Sequence, residues 1–116
     1  MRTGVVLAAV VLLAALAAGT SAAATPYWSV GKVLRKLDGR SIQVGTRAVR
    51  VNSETTLCAG EGASIRRRGM RMWRHFACTY TTFTRGGADR DIDFRVHVRG
   101  SSQFVVTNAH WVRGTR

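Results

Sequence analysis

The sequence is poor in cysteine and in acidic residues, and it lacks the short motifs of the common enzyme classes. It has two cysteines, Cys58 and Cys78, which are too few for a zinc site by themselves and too far apart for a C-x-x-C redox motif. There is no glycine-rich phosphate loop and no G-x-S-x-G motif. No stretch after residue 24 is long and apolar enough to cross a membrane. These absences predict a chain without catalytic residues, a metal or a cofactor.

The first 24 residues have the three parts of a cleavable secretory signal peptide. Arg2 provides the positive start, residues 5–18 are an uninterrupted apolar run, and residues 22–24 are alanines. Signal peptidase needs small side chains beside the bond that it cuts, so we expect cleavage near Ala24. The apolar run is shorter than the roughly 20 residues of a spanning helix. The sequence therefore predicts a secreted protein with a single domain over residues 25–116.

A domain of this size has a small core, and a covalent link would stabilise it. Outside the cytoplasm, a single pair of cysteines most simply forms a disulfide. A bond between Cys58 and Cys78 would close a loop of about 20 residues and contribute on the order of 3 kcal/mol. We therefore expect the two cysteines to be paired.

The charge balance is strongly basic, with 18 lysine and arginine residues against 6 acidic ones and a formal net charge of +12. A basic secreted domain can bind an anionic cell-envelope polymer, an acidic lipid surface or extracellular nucleic acid. The same composition also follows from GC-rich codon usage, and net charge keeps a secreted protein soluble. Both interpretations remain open at this point.

The start of the domain predicts a helix, with a strand as the alternative. Thr25 can cap a helix that begins at Pro26, and Asp38-Gly39 can end it. Apolar residues between these ends fall on one helical face: Val30, Val33, Leu34 and Leu37. Asp-Gly is also a hairpin signal. Residues 28–37 could therefore form a strand, which would make the fold an all-β meander.

The rest of the domain predicts antiparallel strands joined by loops. Gly45-Thr46 separates two short apolar stretches and predicts a hairpin over residues 42–51. Residues 52–56 and 60–62 are polar or glycine-rich, which is typical of connecting loops. Aromatic and β-branched residues predict a strand over residues 73–83.

The clearest strand covers residues 91–99, where apolar and polar residues alternate strictly. Its core face would carry Ile92, Phe94, Val96 and Val98. A last strand over residues 104–112 has two possible registers. The core side would hold either Phe104 and Val106 or Val105, Ala109 and Trp111. Together these elements predict an α+β fold, with one N-terminal helix packed on a four- to five-stranded antiparallel sheet and one disulfide.

The order of motifs in residues 58–107 resembles that of small secreted proteins of unknown function from high-GC Gram-positive bacteria. The shared pattern is C-x-G-x-G at residues 58–62, W/Y-x-x-F-x-C at residues 73–78, and two strands at residues 94–100 and 104–107. The resemblance implies a secreted α+β domain, cystatin-like in outline, with paired cysteines. It implies no activity.

The strongest functional signal is the basic segment between the cysteines. We expect residues 66–71 to form a loop that the disulfide tethers at both ends. Guanidinium groups bind phosphate or carboxylate through paired hydrogen bonds, and an aromatic ring can stack on a base or sugar. We expect a polyanion-binding site made of Arg66, Arg67, Arg68, Arg71, Arg74 and Trp73. The alternative is that the arginines form a solvated loop and that Trp73 belongs to the core.

Two other functions are alternatives. The domain could be a protein-binding or inhibitor-like module that adds a partner's strand to an open sheet edge. It could also be a small secreted hydrolase such as a ribonuclease, which needs a general base, a general acid and a cation. These roles would fall to Glu54 or Glu61, His75 or His97, and Arg95 or Arg99. The third histidine is His110, and the three lie on separate predicted strands, which does not favour a metal site.

Overall fold

The structure is a computed structural model that describes residues 25–83 and 89–112. Its elements are α1 (Val30–Leu37), β1 (Ser41–Val44), β2 (Arg47–Arg50), a 3-10 turn (Ser53–Thr55), β3 (Thr56–Arg67), β4 (Met70–Thr82), β5 (Arg90–Val98) and β6 (Phe104–Trp111). Strands β3 to β6 form an antiparallel sheet in sequence order, and β1 pairs with β2 in a second sheet. The expected signal peptide, residues 1–24, lies outside the described residues.

The predicted fold class is wrong. Six strands in two sheets dominate the described residues, and the helix α1 has only 8 residues. The helix is thus a minor element and not one half of an α+β domain. The alternative in which residues 28–37 form a strand is also wrong, because Val30–Leu37 is helical. No helix among the described residues has the length and hydropathy needed to span a bilayer.

Helix α1 is shorter than predicted because it begins at a different cap. Ser29, and not Thr25, is the N-cap, and its side-chain oxygen accepts a hydrogen bond from the Lys32 amide at 3.1 Å. The helix buries Val33 and Leu37 completely, which confirms two positions of the predicted apolar face. Asp38 caps the other end, as the Asp-Gly signal indicates.

The prediction that residues 60–62 and 66–71 form loops is wrong, because both segments lie in a long hairpin of β3 and β4. The two strands stay paired down to Met70, with one register shift between Glu61 and Ser64. Arg68 and Gly69 make the turn with φ values of 53° and 77°. Positive φ at both central residues is the geometry of a two-residue turn that matches the twist of the strands.

Strand β5 has the predicted alternation of buried and polar residues. The structure of β6 explains why two registers were possible for that strand. Ile92, Phe94, Val96 and Val98 are all buried. In β6, Asn108 has a φ of 55°, and the pairing with β5 shifts between Asp93 and Arg95. This bulge changes which side chains face the core. The partly buried residues that pack on the core therefore come from both predicted sets: Phe104, Val106, Ala109 and Trp111.

The disulfide and the core hold the sheet, the hairpin and the helix together. Cys58 and Cys78 are bonded across β3 and β4, as predicted. One cluster of buried side chains joins the elements: Trp28, Val33, Leu37, Ile42, Val44, Val51, Phe76, Cys78, Ile92, Phe94, Val96 and Val98. The core lies on one face of the long sheet, which leaves the other face for polar residues.

Candidate anion-binding arm

The hairpin of β3 and β4 extends past the rest of its sheet. Pairing of β4 with β5 stops at His75, whereas β3 and β4 stay paired down to Met70. We call residues 64–73 the arm. In the part of the chain that the structure describes, no third strand lies beside the arm, except where the backbone of Trp73 pairs with Trp28. The arm is a two-stranded ribbon that ends in the turn.

The arm carries four exposed arginines: Arg66, Arg67, Arg68 and Arg71. Arg66 and Arg71 lie directly opposite each other on the two strands. Arg66 Nη1 donates a hydrogen bond to the Gly69 carbonyl at 3.2 Å, and Arg71 Nη1 donates to Ser64 Oγ at 2.8 Å. Each of these guanidinium groups is oriented by a single bond and keeps further N–H donors for a ligand.

No carboxylate among the described residues neutralises the arginines of the arm. Among the described residues the one salt bridge joins Glu61 to Arg95 at 3.5 Å, and neither residue is on the arm. Like charges that face each other across an antiparallel pair destabilise it by roughly 0.2–1 kcal/mol. Arg66 and Arg71 form such a pair, and an anion bound between them would remove the repulsion.

Trp73 and Arg74, the other two predicted site residues, contribute to the root of the arm. The Trp73 ring lies directly over Gly60, where no Cβ could fit beside it. Arg74 Nε donates to the Thr25 carbonyl at 3.1 Å, and the guanidinium lies 4.3 Å from the centre of the Tyr27 ring. Both side chains are occupied by contacts within the fold. The structure therefore brings together four of the six predicted residues as an exposed basic group.

The sheet face opposite the core carries a second polar cluster that sequence reasoning did not assemble. His75 and His97 are partners on β4 and β5, and their Nδ1 atoms are 2.9 Å apart. His97 Nε2 lies 2.8 Å from Thr107 Oγ1 on β6. Glu61 is the partner of His75 on β3 and reaches Arg95. The alternation of β5 already placed His97 on the polar face, so the register of β4 against β5 was the missing information.

The pKa of His97 lies below its ordinary value of 6.5, chiefly because burial disfavours the charged ring. The charges of His75, Arg99 and Arg95 lower this pKa further, and Glu61 opposes them. His97 is therefore neutral at pH 7. A neutral imidazole can accept a hydrogen bond or ligate a metal through its bare nitrogen.

The remaining candidate residues lie apart from this cluster. The Nδ1 atom of His110 contacts the carbonyl of Asn108 in its own strand at 2.9 Å. Glu54 lies in the 3-10 turn, where its amide bonds to Asn52. Within residues 25–83 and 89–112, no three His, Cys, Asp or Glu side chains converge as a metal site. Among these residues the His75–His97 contact therefore joins two imidazoles, with no third ligand in place beside them.

The arm and the histidine pair are the two features from which a function can be argued. Comparison with known proteins adds no further feature. No family of known proteins, no curated protein and no solved structure matches the chain. The resemblance to small secreted proteins of high-GC bacteria stays a prediction.

Proposed function

We propose that the chain is a secreted, non-enzymatic domain that binds polyanions through the arm. The observation that carries this proposal is the group of four exposed arginines without a carboxylate partner among the described residues. Guanidinium groups bind phosphate, sulfate or carboxylate with two parallel hydrogen bonds. Partners with this chemistry are an anionic cell-envelope polymer, an acidic lipid surface and extracellular nucleic acid.

The shape of the arm supports a linear polyanion as the partner. Arg66 and Arg71 share one face of the ribbon, and Arg67 lies on the other, because alternate residues of a strand point to opposite sides. Arg68 is at the tip. A polymer that crosses the tip can contact both faces at once. A two-stranded ribbon also fits the major groove of B-form DNA.

Rigidity of the arm favours binding because little has to be ordered when the ligand arrives. The backbone of Trp73 exchanges two hydrogen bonds of 2.8 Å with Trp28, which is fully buried. The disulfide between Cys58 and Cys78 links the same two strands farther from the tip. The arginines therefore stand on a support that is fixed at two places along the hairpin.

Export from the cytoplasm is part of the proposal, because it decides which polyanions the arm meets. The disulfide supports export, since such bonds persist mainly in oxidising compartments. We expect the protein recovered from culture medium to begin at Thr25 when its N-terminus is sequenced. Recovery of the chain only from the cytoplasm, with Met1 in place, would remove cell-envelope and extracellular polymers from the set of partners.

The test compares polyanion binding by the wild type and by the variant R66A/R67A/R71A. This variant leaves Arg68 in place, so the turn keeps its residues. Binding of a fluorescent DNA duplex and of heparin is measured by anisotropy between low and physiological salt. On DNA each lost phosphate contact should reduce the slope of log K against log salt by about 0.9. Loss of three contacts should therefore reduce the slope by about 2–3.

A charge-matched control separates the arm from net charge. The variant R35A/R47A/R50A also removes three exposed arginines, but from α1 and β2. We expect it to bind nearly as the wild type does, with a similar salt slope. Equal losses in the two variants would show that binding depends on total charge alone, and an unchanged slope in R66A/R67A/R71A would refute the proposal.

A second candidate function is protein binding at a sheet edge. Among the described strands, β3 and β6 are the two edges of the four-stranded sheet, and Leu57 on β3 has an exposed fraction of 80%. An exposed edge with an apolar side chain supports addition of a partner's strand. Such binding would change little with salt, because backbone hydrogen bonds would provide most of it. Capture from an envelope extract at low and at high salt therefore distinguishes the two candidates.

A further inference from the structure

Two imidazoles meet on the polar face of the long sheet, outside the arm. His75 and His97 are direct partners on adjacent strands, with Nδ1 facing Nδ1 at 2.9 Å. Their ring planes are inclined by 67°. A contact this short requires one proton between the nitrogens, with one ring as donor and the other as acceptor. The strands thus hold two nitrogen ligands next to each other.

The side chain of Thr107 orients one of these ligands. Its Oγ1 lies 2.8 Å from His97 Nε2. When His97 donates its Nε2–H to Thr107, its Nδ1 carries a bare lone pair that points at His75. Histidines that bind metals usually donate their other ring N–H to a fixed acceptor, which sets the tautomer and the ring orientation. Thr107 stands in that position for His97.

The separation of the two nitrogens suits one metal ion and leaves no room for a phosphorus centre. With metal–nitrogen bonds of about 2.0–2.1 Å, two ligands at a right angle are about 2.9 Å apart, and two tetrahedral ligands are about 3.3 Å apart. An acid–base pair for phosphodiester cleavage must instead flank the reacting phosphorus, with a proton acceptor and a donor on opposite sides. The observed distance of 2.9 Å therefore favours chelation over acid–base catalysis.

We propose that His75 and His97 form a cross-strand chelate for a divalent transition metal, with Cu²⁺ and Ni²⁺ preferred over Zn²⁺. The right-angle geometry matches the tetragonal coordination of the first two ions. The metal takes the place of the proton between the rings, and that proton moves from Nδ1 to Nε2 of His75. Both rings must rotate for this, because lone pairs that lie along the line between the nitrogens have to meet at one ion beside that line. Water completes the coordination.

Nearby charges set the strength of this site. The guanidinium groups of Arg95 and Arg99 disfavour a cation at His97, and the Glu61 carboxylate favours one. Glu61 is the partner of His75 in the same row across the sheet, and its contact with Arg95 is an exposed one of 3.5 Å. Exposed ion pairs are weak, so Glu61 can turn toward the metal. We expect Glu61→Gln to weaken metal binding and Arg99→Ala to tighten it.

The test uses the protein with its disulfide intact and without a polyhistidine tag. Calorimetric titration with NiCl₂ and ZnCl₂, and electron paramagnetic resonance with CuCl₂, are compared for wild type, His75→Gln, His97→Gln and Thr107→Val. His110→Gln is the matched control, because His110 lies on the neighbouring strand with its Nδ1 at a carbonyl of its own strand. The wild type should bind one ion with two nitrogen ligands. Either variant of the pair should lose at least tenfold in affinity, and Thr107→Val roughly tenfold.

Two results would overturn the proposal. One is wild-type affinity in His75→Gln or His97→Gln; the other is an equal loss in His110→Gln, which would indicate unspecific binding to exposed histidines. If a variant fails to fold, the site is located instead in the wild type, by the paramagnetic broadening of its amide signals by Cu²⁺. The amides of residues 75, 97 and 107 should broaden first, and broadening centred on His110 or the N-terminus would also refute the chelate.

Discussion

Gly60 is the position where a single methyl group should do most damage to the arm. It lies on β3, directly beneath the Trp73 ring. A Cβ at this position would be 1.9, 2.2 and 2.3 Å from three atoms of that ring, whereas ordinary contacts begin at 3.4 Å. The variant Gly60→Ala therefore forces the tryptophan off its present place.

The ring has little freedom to move. The Trp73 backbone is bonded to Trp28 in both directions at 2.8 Å, and the ring meets the edge of Phe76 with centroids 6.0 Å apart. Overpacking of this kind costs about 1–3 kcal/mol, and the three close contacts place Gly60→Ala at the upper end, about 2–3 kcal/mol. Since 1 kcal/mol changes Tm by roughly 4–8 °C in a domain of this size, Tm should fall by about 10 °C or more.

The assay is urea unfolding of the oxidised protein, with Gly31→Ala as the matched control. A Cβ at Gly31 in helix α1 would meet the flexible end of Arg35 at 3.4 Å and the Ser29 hydroxyl at 3.9 Å, which are ordinary contacts. Alanine is the better helix former by roughly 0.5–1 kcal/mol, so the same chemical change should stabilise the protein there. The two glycine-to-alanine substitutions should thus have opposite signs.

A double-mutant cycle identifies the cause. Because the methyl group acts through the ring, replacing Trp73 by Leu should cost less free energy of unfolding in Gly60→Ala than in the wild type. If Gly60→Ala were neutral or stabilising, or if its cost simply added to that of Trp73→Leu, the packing of Trp73 over Gly60 would be refuted as the support of the arm.

Three further predictions concern the disulfide, the histidine and the opposed arginines. Replacing Cys58 and Cys78 by serine opens a link across 20 residues of sequence and should lower the free energy of unfolding by about 3 kcal/mol; a midpoint in urea equal to that of the wild type would contradict this. Because the pKa of His97 is held below 6.5 in the fold, the unfolded chain takes up its proton first as the pH falls. The stability due to His97 is therefore present above pH 6.5 and is lost as the pH falls through its lower folded pKa. Between pH 7.5 and 5, the urea midpoint should therefore fall less in His97→Gln than in the wild type. An identical dependence of the midpoint on pH in the two proteins would contradict this. Arg71→Glu places a carboxylate opposite Arg66 and should raise the free energy of unfolding by about 0.5–1 kcal/mol. It should also weaken heparin binding more than Arg71→Ala does. A lower free energy of unfolding would contradict repulsion between Arg66 and Arg71.

Local patterns in the sequence were sufficient for the parts of the fold that bury one regular face. The alternation from Ile92 to Val98 predicted β5, the Gly45-Thr46 turn predicted the first hairpin, and two cysteines predicted the disulfide. In each case the deciding residues are close in sequence or follow a fixed period. The same holds for the buried helix positions Val33 and Leu37.

The arm and the bulge of β6 could not be predicted in this way. More than half of β3 consists of glycine, arginine and small residues, and backbone pairing with β4 holds it as a strand. Tertiary context thus overrides the local preference for a loop. The positive φ of Asn108 changes which face of β6 the following side chains point to. The spacing of apolar residues in the sequence does not indicate such a change.

The candidate sites show the same division. The arginines of the arm are neighbours in sequence, so their common location was predictable, although their opposed positions on two strands were not. His75 and His97 are 22 residues apart and meet only because β4 and β5 pair in one register. Register depends on side chains from both strands together, and a single strand's pattern does not contain it.

The most direct test of polyanion binding by the arm is a nuclear magnetic resonance titration of the ¹⁵N-labelled protein with a short heparin fragment at physiological salt. We expect the largest shift changes in the backbone amides of residues 64–73 and in the Nε–Hε groups of Arg66, Arg67 and Arg71. The signals of β1 and β2 should change little, although β2 also carries two exposed arginines, Arg47 and Arg50. Changes spread evenly over all exposed arginines, or centred on β1 and β2, would contradict binding by the arm.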